Sequence, residues 1–308
     1  YFWDLVGSAI GCLLVVPLLS YFGAPSAIAI VALVALSTSI VLLPSLASKA
    51  ALRLPACIAA IVLVLLASQN PTGALRVHFA KGISVAKLGI EFNRWNSFSM
   101  VTVFPQPNFR GWSLSPAWNG PIPEHKSLVI DMNAMTALMR WRGDPKDAQF
   151  NLYDATSFVH HVRSSSANVC VVGAGAGKDV LAALAAGASN VTAVEINPLI
   201  VNDVMRGQFH EFVGDLYTRN NVSIHVEDGR HYLRTTNKSF DIIQLSMVDT
   251  SAATAAGAYA LTENSVYTVE AFEEFFERLT DSGMLTVSSV SLNNLAVGER
   301  LTWVAREA

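Results

Sequence analysis

Val169-Cys-Val-Val-Gly173-Ala-Gly-Ala-Gly177-Lys-Asp179 is the stretch on which the reading of this 308-residue chain turns. Four apolar residues of strand character run into three glycines spaced by alanines, and then into a helical pattern from Asp179 to Ala186. Such a loop lets backbone N–H groups and a helix N-terminus approach a ligand with no side chain in the way. Downstream, strands and helices alternate. The pattern predicts strand Val191–Val194, helix Leu199–Phe212, strand Val222–His225, helix Gly229–Arg234, strand Phe240–Leu245, helix Val269–Arg278 and strand Met284–Ser288. Five strands separated by helices predict a parallel, doubly wound, Rossmann-like α/β domain over residues 151–308.

Two more polar points fall at the carboxyl ends of the predicted strands, the edge where open α/β sheets bind ligands. Glu195 ends the second strand, where a carboxylate can accept both hydroxyls of a ribose, and Asp228-Gly229 follows the third. With Gly173, Gly175 and Gly177 they favour a nucleoside-type ligand over glycines that serve tight packing alone. A phosphate-binding P-loop is excluded, because Gly177-Lys178 is followed by Asp179 rather than Ser or Thr. The dinucleotide fingerprint is also broken, with Lys178 where its third glycine belongs. Asp179 at the helix start suits a ligand with a cationic head better than a pyrophosphate.

Working outward to the N-terminus, the character of the chain changes. Residues 1–75 hold only Asp4, Lys49 and Arg53 as charged side chains, although Lys, Arg, Asp and Glu make up 15% of the whole chain. Leu5–Phe22 and Ala27–Ala47 are apolar runs of about the ~20 residues that a bilayer core requires. Pro55–Ser68 becomes a third span when Ala50–Leu54 supplies its first turns. Gly23–Ser26 and Ser48–Lys49 read as the turns between spans, and Trp3 and Tyr21 as interfacial aromatics. The expectation is three transmembrane helices in residues 1–70, rather than a signal peptide, because two more apolar runs follow the first. Residues 71–150 read as a small β region and linker, with strands at Ser99–Phe104 and Ser127–Asp131 between Pro- and Gly-rich turns.

This composition excludes a simple soluble enzyme, a disordered chain and a disulfide scaffold. A net charge of −3 gives no reason to expect a nucleic-acid partner. Cys12, Cys57 and Cys170 lie in apolar runs and read as small packing residues. His160-His161 and the His225/His231 pair lack metal-ligand spacing, so no metal is expected. Trp95, Trp112, Trp118 and Trp141 read as packing residues of the β region.

Several ordered motifs carry a resemblance. They are Val171-Val-Gly-Ala-Gly-Ala-Gly-Lys-Asp179, Ala193-Val-Glu-Ile-Asn-Pro198, Glu227-Asp-Gly-Arg230, Phe240-Asp-Ile-Ile-Gln-Leu-Ser-Met-Val-Asp-Thr250 and Leu261-Thr-Glu-Asn-Ser-Val-Tyr-Thr-Val-Glu-Ala-Phe272. Over about residues 90–308 the chain resembles the spermidine synthase (polyamine aminopropyltransferase) family, and specifically its bacterial branch with fused membrane helices. The resemblance implies an S-adenosylmethionine-type fold, decarboxylated S-adenosylmethionine as aminopropyl donor and a diamine such as putrescine as acceptor. It implies a donor pocket shaped by Gly173, Gly175 and Gly177, with Glu195 at the ribose and Asp228 at the adenine amino group. Asp249 corresponds to the second Asp of the family's Asp-x-x-Asp-Pro motif, an acceptor-amine site. Beside the resemblance, Glu263 reads as part of the acidic field that two cationic substrates need, and Tyr267 and Tyr259 as aromatics that pack on donor or acceptor, with Glu263 and Tyr267 the expected substrate contacts.

The departures bear on mechanism. The family's first Asp, which helps to deprotonate the amine, corresponds to Ser246, a side chain that is no base near neutral pH. The acidic residue usual in the glycine loop is Ala176, and the proline after Asp249 is Thr250. Asp179 can compensate for the carboxylate missing at Ala176, whereas Asp249 or Glu263 are the replacements for the base missing at Ser246. Asp241 reads as a structural turn residue. Two alternatives stay open: a methyltransferase using S-adenosylmethionine itself, and a catalytically degenerate nucleoside-binding module. Adenosyl donors are intracellular, so the expected placement is a multi-pass protein of the inner membrane, with its soluble domain on the cytoplasmic side. The expected partners are a polyamine, the lipid bilayer and a second copy in a homo-oligomer. The first residues and the stop after a fifth strand suggest a fragment of a longer protein.

Overall fold

The computed structural model describes residues 1–42, 58–60, 77–97, 99–106, 113–163, 166–248, 265–289 and 295–308. The chain divides into two compact units, Tyr1–Val103 with Ile130–Met132, and Phe104–Val129 with Asn133–Ala308.

The first unit opens with a helix over Phe2–Leu42 that carries one charged side chain, Asp4. It is apolar on every side, so no amphipathic face directs it onto a soluble core, and its segment Phe2–Thr38 is long and apolar enough to cross a membrane. The turn expected at Gly23–Ser26 is contracted to a break at Gly23, with φ 75° and ψ 162°, inside one helical run. Pro25 lies two residues further on, where its missing N–H and fixed φ suit the first turn of the second helical half. Of the third expected span only Ile58–Ala60 is described, and it is helical. The remainder lies outside the described residues. Beside the helix lies strand β3 (Phe92–Trp95), paired antiparallel with β4 (Met100–Pro105). A short hairpin, β1 (Phe79–Ala80) with β2 (Ile83–Ser84), precedes them. The β4 strand starts one residue after the expected Ser99.

The second unit begins with neighbouring strands β5 (His125–Ile130) and β6 (Ala134–Met139), then a 3-10 segment Pro145–Tyr153. Asp144 caps that segment by accepting from Lys146 N. The main sheet follows, in the order β11-β10-β7-β8-β9, all parallel. Its strands are β7 (Asn168–Val172), β8 (Asn190–Val194), β9 (Val222–His225), β10 (Phe240–Ser246) and β11 (Leu279–Ser288). Read from β9 the order is third, second, first, fourth, fifth. That is the Rossmann-like, doubly wound arrangement, with its reversal between β7 and β10.

Burial explains the residue choice. Val169 to Val172 are all buried, as a central parallel strand covered on both faces requires, and Ile242, Ile243, Gln244 and Leu245 of β10 are fully buried beside them. One face packs on the helix Val269–Phe276, which presents Ala271, Phe272 and Phe275 to Leu245, Ile243 and Tyr232. Thr268 caps that helix at Ala271 N. Arg230 holds it to the helix Gly229–Thr235 through a two-pronged pair with Glu274, at 2.9 and 3.1 Å.

Element limits differ from the expectation where the tertiary structure adds backbone bonds. β11 begins at Leu279 rather than Met284, because Phe240 N donates to Arg278 O and draws the chain alongside β10 early, with a register shift between Phe240 and Ile242. The helix after β8 runs over Leu199–Gln208, wound as a wide π-type helix, and is broken near its end at Gly207, whose φ/ψ of −99° and −113° are non-helical. The expected continuation to Phe212 is therefore broken into turns.

Candidate functional site

The reversal point of the sheet lies between the ends of β7 and β10, and the glycine loop leaves β7 there. Gly173 and Gly177 have φ of +70° and +83°. A Cβ on Gly173 would stand 2.4 Å from Val248 Cγ1, and one on Gly177 would stand 2.4 Å from Leu216 Cδ2. Gly177 is also the N-cap of the helix Lys178–Ala185. Gly177→Ala is therefore expected to cost about 1–2 kcal/mol, the strain of an L side chain in the left-handed region, while Leu216 moves aside. Chemical denaturation of the full chain in detergent measures this. Gly175 sits between them, donating its N–H to Glu195 Oε2 at 2.9 Å and accepting from the Tyr217 hydroxyl at 2.8 Å.

Glu195 leaves β8 as a buried residue, 6% exposed. Its second oxygen accepts from Asn197 N at 2.8 Å. Burial raises its pKa, and the backbone N–H groups of Asn197, Gly175 and Ile196 offset part of that rise. The buried Tyr217 phenol is also raised well above its ordinary value, by burial and by the facing charges of Glu195 and Asp179. Ile196 after β8 and Val226 after β9 are both exposed, so two large apolar side chains stand in solvent at the carboxyl edge of the sheet. Their sequence signal, an apolar residue directly after a strand-end polar position, is weak, and sequence reasoning passed over them.

Asp228 follows β9 and accepts from His231 N at 2.8 Å, capping the helix that Gly229 opens. A Cβ on Gly229 would stand 2.3 Å from Val172 Cγ1, which makes the helix start a close contact with β7. His225, at the end of β9, stacks on Tyr232 with ring centroids 4.6 Å apart.

Asp179 and Ser246 meet. Asp179, in the first turn of the helix Lys178–Ala185, is buried, and hydroxyls of Ser246 and Thr156 reach its carboxylate. Burial raises its pKa, partly opposed by Lys178 and the Ser246 hydroxyl. Beside it, Lys178 Nζ pairs with Asp154 Oδ2 at 2.7 Å, and Asp154 also accepts from Ser113 Oγ and Thr156 N. For Asp154, burial raises the pKa, but the charge and hydrogen bond of Lys178, with Ser113 and Thr156, outweigh it and leave a net lowering. A lowered carboxylate contributes stability that is present above its unfolded value near about pH 4 and is lost as pH falls through the lowered folded value. Thermal melts are thus expected to fall more steeply below about pH 4 in wild type than in Asp154→Asn.

Ala176, between Gly175 and Gly177 in the glycine loop, is 1% exposed and enclosed. Tyr267 lies in the apolar cluster with Phe272, Phe275 and Val304. Asp241 accepts from Arg163, Asn168 N and Thr280 at the opposite, amino end of the strands. The expected residues Asp249, Thr250, Tyr259 and Glu263 lie outside the described residues. Among the described residues no group of three or more His, Cys, Asp or Glu side chains is placed to hold a metal ion.

Strand order and loop geometry define the class: a Rossmann-like α/β domain preceded by a small β region and a long apolar helix. No family model matches the chain, and no curated protein matches it by sequence. Among solved structures it is similar to spermidine synthase in complex with the transition-state analogue AdoDATO, and to spermidine synthase from Thermotoga maritima. Each aligns with a TM-score of 0.48 and 11% identity, over 71% of this chain and 63% of the other. The chain thus spans less than two thirds of the length of those structures.

Proposed function

We propose that this chain is a membrane-anchored, spermidine synthase-like transferase that binds an adenosyl-sulfonium donor. The carrying observation is Glu195: a buried carboxylate at the end of β8, clamped by Gly175 N and Asn197 N, beside a glycine loop at the reversal point of the sheet. The carboxylate keeps acceptor capacity beyond its backbone donors, which a ribose hydroxyl can use. Ile196 and Val226 offer apolar surface for an adenine, and Asp228, whose Oδ1 caps its helix, has Oδ2 to accept from the adenine amino group. Gly173, Gly177 and Gly229 let the backbone approach. The motif resemblance supports decarboxylated S-adenosylmethionine as donor and a diamine such as putrescine as acceptor, with Asp249, Glu263 and Tyr267 on the acceptor side.

The reaction is an in-line displacement. The amine lone pair forms the new carbon–nitrogen bond, the carbon–sulfur pair leaves with sulfur as methylthioadenosine, and one proton is released. The apolar helix Phe2–Leu42 anchors the protein in the inner membrane, and the donor chemistry places the soluble domain on the cytoplasmic side.

Calorimetric titration of the full chain in detergent with methylthioadenosine, S-adenosylmethionine and NAD tests the donor. Mass spectrometry of products from decarboxylated donor and a diamine panel tests transfer. The reading stands if methylthioadenosine binds and NAD does not, and it falls if no adenosyl-sulfur compound binds. Ser246, in place of a carboxylate, also supports a methyltransferase, for which isotopically labelled S-adenosylmethionine would deliver a methyl group instead.

A further inference from the structure

Strand β10 ends in Gln244-Leu-Ser246, and strand alternation sets Gln244 and Ser246 on one face. Gln244 is fully buried. Its Nε2 donates to Thr156 O at 3.0 Å and to Ser246 Oγ at 3.1 Å, while its Oε1 meets His160 Nε2 at 3.1 Å. Ser246 Oγ is thereby an acceptor from Gln244, and its own proton is directed to the carboxylate of Asp179. On the far side of that carboxylate, the Thr156 hydroxyl lies 3.3 Å from Asp179 and 3.0 Å from Asp154 Oδ1. One hydroxyl has one proton, so it satisfies one of the two carboxylates at a time. Asp154 holds the ion pair with Lys178, which keeps its carboxylate below the ordinary range, whereas burial raises that of Asp179.

We propose that Asp179, acting through the Ser246 hydroxyl, accepts the proton of the attacking amine, so that the proton-accepting carboxylate has moved from the end of β10 to the helix after the glycine loop. This inference rests on the transferase reading. As nitrogen bonds to the donor carbon and the carbon–sulfur pair withdraws onto sulfur, the ammonium proton passes to Ser246 Oγ and the Ser246 proton passes to Asp179. The products are the thioether, the alkylated amine and a neutral Asp179 carboxyl, which returns its proton to water. Asp179 is a positioning residue in this scheme, and Ser246 is the group that meets the amine.

The ionisable groups around Asp179 are Lys178 on its own helix, Asp154 from the preceding turn, and Glu195 with Tyr217 across the glycine loop. His160 stands one link away through Gln244. Strand β6 adds none, the β7 thiol Cys170 is pushed far up by burial, and Lys146, Asp147 and Tyr153 of the packed 3-10 segment are exposed. A buried acid with a raised pKa costs stability as pH rises from the ordinary carboxylate range through its raised value. Asp179→Asn should therefore melt no lower than wild type at pH 8 while losing transfer.

The test uses the full chain in nanodiscs with Asp179→Asn, Ser246→Ala and Thr156→Val. In wild type the infrared band of a protonated buried carboxyl should titrate with pH, vanish in Asp179→Asn and shift in Ser246→Ala and Thr156→Val. In Asp179→Asn, kcat should drop about 100-fold with the acid limb of its pH profile lost. KM for the donor and methylthioadenosine binding should stay within about twofold, and Asp179→Glu should recover part of kcat. An Asp179→Asn variant that keeps the wild-type kcat and acid limb overturns the proposal, as does a carboxyl band indifferent to Ser246→Ala. Failure of wild type to bind methylthioadenosine overturns the transferase reading instead, and the infrared band still decides where the proton sits. If Asp179→Asn does not fold, Ser246→Ala and Thr156→Val read the same chain from either side.

Discussion

Glu195→Gln is expected to weaken methylthioadenosine binding by about 100-fold. Wild-type Glu195 accepts from Gly175 N and Asn197 N with separate oxygens. Glutamine retains one acceptor oxygen, so its amide N–H2 must face one of those two backbone donors, and a buried donor without a partner costs about 1–3 kcal/mol. The variant loop can relieve the clash by turning Gly175 away, which also disturbs the Tyr217 hydroxyl bond to Gly175 O. A ribose on the carboxylate would in addition lose charge-assisted hydrogen bonds worth about 1.5–3 kcal/mol. Even partial loss of both amounts to about two factors of ten at ~1.4 kcal/mol each. Calorimetric titration reads the effect. Equal affinity of the two proteins would remove Glu195 from the ligand site.

Phe275→Ala is expected to lower unfolding free energy by about 3–5 kcal/mol. The ring is fully buried in the cluster that joins the helix Val269–Phe276 to β10, 6.0 Å from Phe272 between ring centroids. Its neighbours belong to a sheet and a capped helix that is pinned by Arg230 and Glu274, so they cannot collapse into the space left behind. For a domain of ordinary stability, about 5–15 kcal/mol, that is a large fraction of the total. Urea denaturation of the full chain in detergent would show the midpoint of the unit that holds Phe275 falling at unchanged slope. A loss below about 1 kcal/mol would mean that the helix is not packed as described.

The Rossmann-like order of elements was legible because its causes are local. Val169–Val172 must be a two-face-buried strand, the spaced glycines must turn tightly, and the next apolar periodicity is helical, each following from neighbours in the chain. The apolar helix at the N-terminus was legible for the same reason, since almost every residue from Phe2 to Leu42 favours leaving water. Its break at Gly23 was misjudged as a four-residue turn, because Pro25 and Ser26 are compatible with the start of a helix as well as with a loop.

The chemistry around Asp179 was not legible. Thr156, Asp179 and Ser246 are separated by 23 and then 67 positions, and Gln244 reaches back to Thr156 across 88. No periodicity links such residues, because a side-chain hydrogen bond at that separation exists only once the sheet has set its strand order. Asp228 shows the converse. Its sequence position marked a strand end, yet the fold decided that one of its oxygens would cap a helix. The amino-acid sequence alone determined a long apolar helix, a glycine loop and a strand-and-helix alternation, since turn sterics and burial act over a few residues. Tertiary structure alone decided which carboxylates meet the same hydroxyl, because that depends on distances of about 3 Å between groups that only the packed sheet brings together.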